Sequence, residues 1–185
     1  MQATARPALR FTLALLISMG SLTGCDQTHS ERAPKPEVGG WPTVGGEASG
    51  TRYSPLSQIN RENVHELEVA WTTRTTPVKE ALEKTPETAF EATPILFEDR
   101  LLLCTPRNRL LSLDARTGHT QWTFDARPRL ENVWTPKCRG VAVWFDPELE
   151  PQPCAARVFM GTVDGRLIAL DARTGQSCTD FGDQG

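Results

Sequence analysis

The apolar positions of this chain fall into short runs that are separated by Gly, Pro and Asn/Asp turns. No long stretch keeps a helical period as far as a capping residue, whereas runs of four or more apolar and β-branched residues between turns are typical of strands. Segment 64–71 is compatible with a short helix or with the entry to a strand. The pattern predicts strands at residues 95–104, 110–114, 121–124, 157–161 and 167–170.

A ten-residue repeat organises the second half of the chain. Residues 109–118 (RLLSLDARTG) recur as residues 166–175 (RLIALDARTG), 57 positions later and with eight of ten residues identical. A strand that ends in an Asp-x-x-Thr-Gly turn and repeats at this spacing is typical of a β-propeller, with one four-stranded blade per repeat. The excess length is assigned to an insertion at residues 126–153. Two copies cannot close a ring, because the first blade must meet the last.

The main elements of the repeat each have an expected physical role. Asp114 and Asp171 are expected to accept hydrogen bonds from backbone N–H groups across the turn. Gly118 and Gly175 are expected to adopt a positive φ, which glycine tolerates without steric cost. Trp122 follows the first turn by four residues, and its indole is expected to pack on the neighbouring blade.

The first 24 residues have the layout of an export signal. Arg6 and Arg10 precede an apolar stretch at residues 11–22, which is too short to span a bilayer comfortably. The stretch leads into Leu-Thr-Gly-Cys25, which resembles the bacterial lipobox. Cys25 is therefore the predicted lipid anchor, because acyl chains on this residue would hold the protein on a membrane. The alternative is an ordinary secretory signal followed by an incidental cysteine.

The mature chain is predicted to have two parts. Residues 25–40 form the lipidated cysteine and a flexible tether, because they are polar, contain prolines and show no apolar periodicity. Residues 41–185 form the propeller part. Asp26 follows the predicted anchor directly and resembles the inner-membrane retention signal of Gram-negative lipoproteins. The expected location is the periplasmic face of the inner membrane.

Charge and composition exclude one class of partner. The chain is 38% hydrophobic and 23% charged, which is typical of a soluble globular protein. Its formal net charge is -3, and it contains no Lys/Arg-rich run. A surface that cannot neutralise phosphates gives no reason to expect nucleic acid as a partner.

The four cysteines beyond Cys25 could all be bridged in an oxidising compartment, and four cysteines allow three pairings. Cys138 and Cys154 bracket a proline-rich segment, and a bridge that closes this loop is the preferred pairing. In the chain-entropy model such a loop closure would stabilise the fold by roughly 3 kcal/mol. Buried free thiols are the alternative.

Several motifs together resemble a known family. They are Gly-Thr-Arg-Tyr-Ser-Pro-Leu at residues 50–56, Phe-Glu-Ala-Thr-Pro at 90–94, Cys-Thr-Pro-x-Asn at 104–108 and Cys-Arg-Gly-Val-Ala at 138–142. In this order, across residues 41–185, they resemble the N-terminal part of the pyrroloquinoline-quinone (PQQ) dependent dehydrogenases, or quinoproteins. The similarity is greatest to the membrane-bound glucose and quinate dehydrogenase branch. The resemblance implies an all-β fold, the first two to three blades of an eight-bladed β-propeller.

The resemblance also implies a reaction. Family members oxidise an alcohol or sugar with PQQ and Ca²⁺ in the periplasm and pass electrons to a respiratory quinone or cytochrome. The family's Ca²⁺ ligands and catalytic Asp match no residue here and are expected farther along. These 185 residues are therefore expected to be an incomplete N-terminal portion that is inactive alone. A lipobox stands where that branch usually has transmembrane helices, so its substrate and acceptor do not transfer.

Two residues match positions of the family that contact the cofactor. By resemblance, Glu91 would hydrogen-bond the edge of PQQ, and Arg139 would lie near its reactive carbonyls. The alternatives are a solvated loop carboxylate for Glu91 and a surface ion pair for Arg139. Other relatives carry a vicinal Cys-Cys pair just upstream, where this chain has Val-Trp134-Thr. Trp134 is expected to provide a stacking face in place of that pair or to be a core residue.

A second class of function shares many of these features. A non-catalytic, lipid-anchored β-propeller scaffold, like the outer-membrane-protein assembly lipoprotein, would also show a lipobox and Asp-x-x-Thr-Gly turns. Asp26 disfavours sorting to the outer membrane, and a scaffold does not need the Glu-Ala-Thr-Pro and Cys-Arg-Gly motifs. The sequence therefore favours the dehydrogenase family.

Overall fold

The computed structural model describes residues 40–47, 49–77 and 88–185. The predicted signal peptide, lipid anchor and nearly all of the tether lie outside these residues. Within them, no helix is long and apolar enough to cross a membrane. Regular structure in this part of the chain consists of strands and two 3-10 turns, Val64–Glu66 and Pro147–Leu149. The strands are β1 (Ile95–Phe97), β2 (Arg100–Cys104), β3 (Arg109–Asp114), β4 (Thr120–Asp125), β5 (Ala142–Phe145), β6 (Ala156–Gly161) and β7 (Leu167–Asp171).

The first sheet is antiparallel with strand order β1-β2-β3-β4. Its two inner strands are lined by buried leucines, as the apolar runs predict. The prediction of one continuous strand at residues 95–104 is wrong, because Glu98 and Asp99 form a two-residue turn between β1 and β2. Glu98 has a φ of +53°, and the Arg100 guanidinium lies 2.6 Å from its carboxylate. Glu98 and Asp99, two acidic residues inside an apolar run, mark this turn.

The second sheet is antiparallel with strand order β5-β6-β7. Strands β6 and β7 confirm the predictions at residues 157–161 and 167–170. Strand β5 lies within the segment 126–153 that was assigned to an insertion, so that assignment is correct only for the loops on either side of the strand. All four residues of β5, Ala-Val-Trp-Phe, are apolar, so the sequence does carry a signal for this strand, although its side chains are only half-buried or exposed.

One core joins the two sheets. Ile95, Leu102 and Leu110 of the first sheet share a buried cluster with Val158 and Leu170 of the second. Each fully buried aliphatic side chain of this kind contributes about 1.5–3 kcal/mol. At the periphery, the Arg173 guanidinium of the second sheet lies 2.7 Å from the Glu98 carboxylate in the β1–β2 turn. The apolar core and this ion pair fix the sheets against each other.

The two copies of the repeat fold into the same turn. Asp114 Oδ1 accepts hydrogen bonds from the backbone N–H of Thr117 at 2.8 Å and from its hydroxyl at 2.8 Å. Asp171 Oδ1 accepts the equivalent bonds from Thr174 at 2.9 and 3.1 Å. These contacts lower the pKa of Asp114, with the Thr117 hydroxyl as the largest cause. The predicted role of both aspartates is confirmed.

A tryptophan from the preceding segment lies on the glycine of each repeat turn. Gly118 and Gly175 have φ of +72° and +74°, as predicted. Trp122 covers Gly175 so closely that a Cβ there would lie 2.6 Å from its ring. This confirms that Trp122 packs on the neighbouring repeat. Trp71 covers Gly118 in the same way and donates a hydrogen bond to the Ala115 carbonyl at 3.3 Å.

The cysteines form two bridges, Cys104–Cys138 and Cys154–Cys178, with Cα–Cα distances of 5.9 and 5.8 Å. The preferred pairing of Cys138 with Cys154 is wrong. Strand β5 separates these two residues, and Cys138 precedes its start while Cys154 lies beside its end, where Phe145 pairs with Ala156. They therefore lie at opposite ends of the β5–β6 hairpin. The length of chain between two cysteines, on which the preferred pairing was based, does not reveal this separation.

The docking of Trp122 predicts unequal effects of two Gly→Ala substitutions. Gly175→Ala should destabilise the protein by about 1–3 kcal/mol more than Gly165→Ala, because the new methyl group meets the indole. Gly165 is the matched control, since it has φ +84° but open space around its Cβ position. Both variants share the strain of a positive φ. Urea unfolding would measure the difference, and equal losses would contradict the packing role of Gly175.

Candidate functional site

Glu91 lies at the edge of the first sheet, four residues before β1 begins. Its neighbour Ala92 packs against the core that joins the two sheets, and Ile95 is fully buried. These contacts fix the backbone, so the Glu91 side chain is held at the surface, where 37% of it is exposed.

Two cations from the loop before β5 meet this carboxylate. The Lys137 ammonium donates a hydrogen bond to Glu91 Oε1 at 2.8 Å. Arg139 Nε lies 3.5 Å from Glu91 Oε2. The structure therefore brings together both residues that the sequence singled out, and it adds Lys137. Lys137 was missed, although its place directly before the Cys-Arg-Gly motif is a signal that could have found it.

Both alternatives for the predicted residues have a clear outcome. Glu91 is not a freely solvated loop carboxylate, because it is paired with two cations. Arg139 does form a surface ion pair, and 81% of its side chain is exposed. Its guanidinium therefore keeps donor groups that Glu91 does not occupy, since the single contact uses one edge of a planar fork with five N–H donors. We call Glu91, Lys137 and Arg139 the charged cluster.

The charged cluster carries a net positive charge at neutral pH. The hydrogen bond from Lys137 is the largest cause that lowers the pKa of Glu91, and the charges of Lys137 and Arg139 lower it further. Desolvation acts in the opposite direction. Glu91 is therefore ionised, and two cations face one carboxylate. An anionic group, or an oxygen that gains negative charge, is the ligand that this arrangement favours.

Trp134 lies three residues before Lys137 and is 94% exposed. The core alternative for this residue is therefore wrong. Pro136, between the indole and the cations, is fully buried and anchors the loop. An exposed aromatic face in the same loop as two cations suits a flat, anionic, aromatic ligand. Among the described residues, no group of three His, Cys, Asp or Glu side chains could hold a metal ion.

The order of causes at Glu91 gives a pKa prediction. Lys137→Gln should raise the pKa of Glu91 towards its ordinary value more than Arg139→Gln does, because Lys137 provides the hydrogen bond and Arg139 only a longer-range charge. A carboxylate with a depressed pKa stabilises the fold at pH values above its unfolded pKa, and this contribution is lost as the pH falls through its folded pKa. Carbon-13 NMR titration of the Glu91 carboxyl would measure both shifts, and a larger shift in the Arg139 variant would contradict this order.

Comparison with known proteins identifies the domain. Residues 41–185 match the family model for the glucose/ethanol/alcohol dehydrogenase β-propeller domain, described by the cofactor name PQQ. The chain is 37% identical to a quinoprotein glucose dehydrogenase of Escherichia coli K12 over 94% of this chain and 24% of that protein. It is also 37% identical to quinoprotein glucose dehydrogenase A of Acinetobacter calcoaceticus, over 78% of this chain and 20% of that protein.

Solved structures of dehydrogenases are also similar to this chain. A quinohemoprotein alcohol dehydrogenase from Pseudomonas putida HK5 is 32% identical and superimposes with a TM-score of 0.58, covering 76% of this chain and 18% of that one. A europium-containing methanol dehydrogenase is 27% identical with a TM-score of 0.59, covering 76% of this chain and 22% of that one. The chain thus spans about a fifth to a quarter of the proteins it matches. With its repeat turns, antiparallel sheets and family match over residues 41–185, the chain belongs to the PQQ-dependent dehydrogenase β-propeller family.

Proposed function

We propose that this chain forms the first two to three blades of an eight-bladed PQQ-dependent dehydrogenase that oxidises an alcohol or a sugar. The charged cluster carries the proposal, because in a chain of this family it gathers Glu91, Lys137 and Arg139 at the edge of the first sheet. By themselves, residues 1–185 are proposed to be inactive, since they cover only about a fifth to a quarter of the length of their relatives.

The donor set of the charged cluster fits PQQ. PQQ carries three carboxyl groups and an ortho-quinone on a flat ring system, so it requires cations, N–H donors and a planar contact. Lys137 and Arg139 provide the cations and donors, and the exposed indole of Trp134 provides the planar surface. Glu91 takes up part of the charge of both cations and orients them, so that the site stays cationic overall.

Each residue of the charged cluster has a role that follows from its chemistry. When bound, PQQ accepts a hydride from the substrate carbon, helped by a Lewis-acidic metal ion. Arg139 holds a permanent positive charge, because its guanidinium does not lose its proton in proteins, and would stabilise negative charge on a nearby quinone oxygen. Lys137 would donate to a carboxylate or carbonyl oxygen, and Glu91 would hold the Lys137 ammonium in place.

The proposals for the metal, the substrate and the electron acceptor are based on the names of the relatives. The metal is Ca²⁺ or a lanthanide, since a related methanol dehydrogenase contains europium. Its ligands and the group that takes the substrate proton are assigned to residues outside this chain. Relatives named for glucose, glycerol and quinate or shikimate support a hydroxylated substrate. Relatives named for a quinone and for cytochrome c support those two classes of acceptor.

The charged cluster predicts the effect of two substitutions on PQQ affinity. In the longest natural polypeptide that contains this chain, Arg139→Ala should weaken PQQ binding roughly tenfold, because a charge-assisted hydrogen bond is lost. Glu91→Gln should weaken it less, since the cations remain. Arg116→Ala is the matched control, because Arg116 is an exposed arginine on a repeat turn. Fluorescence titration with PQQ would measure the dissociation constants, and an Arg139 variant that binds like the wild type would refute the proposal.

The location is proposed from the sequence of the N-terminus. The predicted lipobox at Cys25 and the following Asp26 support a lipid anchor in the inner membrane that holds the domain in the periplasm. Cys25→Ser should abolish acylation and release the protein from the membrane fraction, whereas the control Ser30→Ala, a substitution in the predicted tether, should leave it anchored. Metabolic labelling with a radioactive fatty acid, followed by fractionation, would measure both effects. A Cys25→Ser variant that remains labelled would exclude this anchor.

The non-catalytic scaffold is not favoured. The family match covers residues 41–185 and is to dehydrogenases, and the charged cluster combines the two motifs that a scaffold does not need.

A further inference from the structure

The loop that carries the two cations has few restraints of its own. Among the described residues, no backbone group of residues 134–140 forms a hydrogen bond with another backbone group. Pro136 is buried, and a Cβ on Gly140 would meet the Val44 side chain at 2.9 Å, so the loop packs against its surroundings at two points. Neither contact lies at Lys137 or Arg139. Some other restraint must hold these side chains opposite Glu91.

The disulfide Cys104–Cys138 lies where it can restrain the backbone of both cations. Cys138 stands between Lys137 and Arg139 in the chain, so the bridge fixes the backbone from which both cations extend. Its partner Cys104 ends β2, and it is fully buried. Both sulfur atoms lie 3.6 Å from the Gly140 carbonyl oxygen, which packs the loop closely around the bridge.

The partner strand also brings Glu91 close. Ile95, the first residue of β1, pairs with Leu102 of β2, so the start of β1 lies at the same end of the sheet as Cys104, the last residue of β2. Glu91 stands four residues before β1 begins, at this same end of the first sheet. The bridge thus ties the cationic loop to the sheet edge that presents the carboxylate.

We propose that Cys104–Cys138 is a positioning device for the charged cluster: it holds Lys137 and Arg139 opposite Glu91, and the affinity for an anionic ligand depends on its being closed. The part of this inference that concerns PQQ rests on the proposed function. The second bridge, Cys154–Cys178, joins the segment before β6 to the segment after β7 and packs in a separate cluster with Ala169, Phe159 and Phe181. The paired cysteines are 34 and 24 positions apart in the chain, respectively, and Cys154–Cys178 provides the control for Cys104–Cys138.

The experiment compares Cys104→Ser/Cys138→Ser with the matched control Cys154→Ser/Cys178→Ser in the longest natural polypeptide that contains this chain. The first readout is the rate at which an acylating reagent modifies Lys137 in PQQ-free protein, measured by mass spectrometry. Opening Cys104–Cys138 should raise this rate to that of a Glu91→Gln variant, in which Lys137 has lost its partner. The control should leave it at the wild-type rate. The second readout is PQQ affinity, which should fall about tenfold only in the first variant.

The two readouts separate failure of this inference from failure of the proposed function. An unchanged Lys137 rate after loss of Cys104–Cys138, or an equal rise in both variants, would overturn the positioning role whether or not PQQ binds. A wild-type protein that binds no PQQ would refute the proposed function, while the Lys137 rates would still decide the role of the bridge. If the first variant is unfolded by circular dichroism, phosphine reduction of the folded wild type, with alkylation to show which bridge has opened, provides the same comparison.

Discussion

The two sheets keep their relative orientation through their shared core and through an indole that lies on a turn with no Cβ. Trp122 reaches from β4 to Gly175, and Trp71 reaches Gly118 in the same way. The contact requires a glycine for two reasons. The turn needs a positive φ, and the ring leaves no space for a side chain. Each repeat turn therefore receives a tryptophan from the preceding segment. The first repeat is also followed by the next tryptophan, Trp122, and this contact couples the orientation of the first sheet to that of the second.

The charged cluster is a consequence of this arrangement. Glu91 belongs to the first sheet, whereas Lys137 and Arg139 belong to the connection towards the second. Neither element alone brings opposite charges together. Once the shared core has fixed the sheets, the bridge from Cys104 to Cys138 brings the connection back to the edge of the first sheet, so packing sets the distance over which the charges act.

Local chemistry explains which features could be predicted from the sequence. The turns at Asp114 and Asp171 were predictable because their hydrogen bonds close within four residues. The role of Trp122 was predictable from the repeat. The pairing of Cys138 was not, because it depends on how the β5–β6 hairpin separates this residue from Cys154 in the folded chain. Glu91 and Arg139 were singled out by resemblance, whereas Lys137 was missed although it directly precedes the Cys-Arg-Gly motif, and its contact with Glu91 is seen only in the folded chain.

The central claim is that the charged cluster belongs to a cofactor site. The most direct measurement is an experimental structure of the longest natural polypeptide that contains this chain, with PQQ bound. We expect PQQ oxygen atoms within hydrogen-bond distance of Lys137 or Arg139, with Glu91 still paired to the cations. PQQ bound elsewhere, with Glu91, Lys137 and Arg139 facing only solvent, would contradict it.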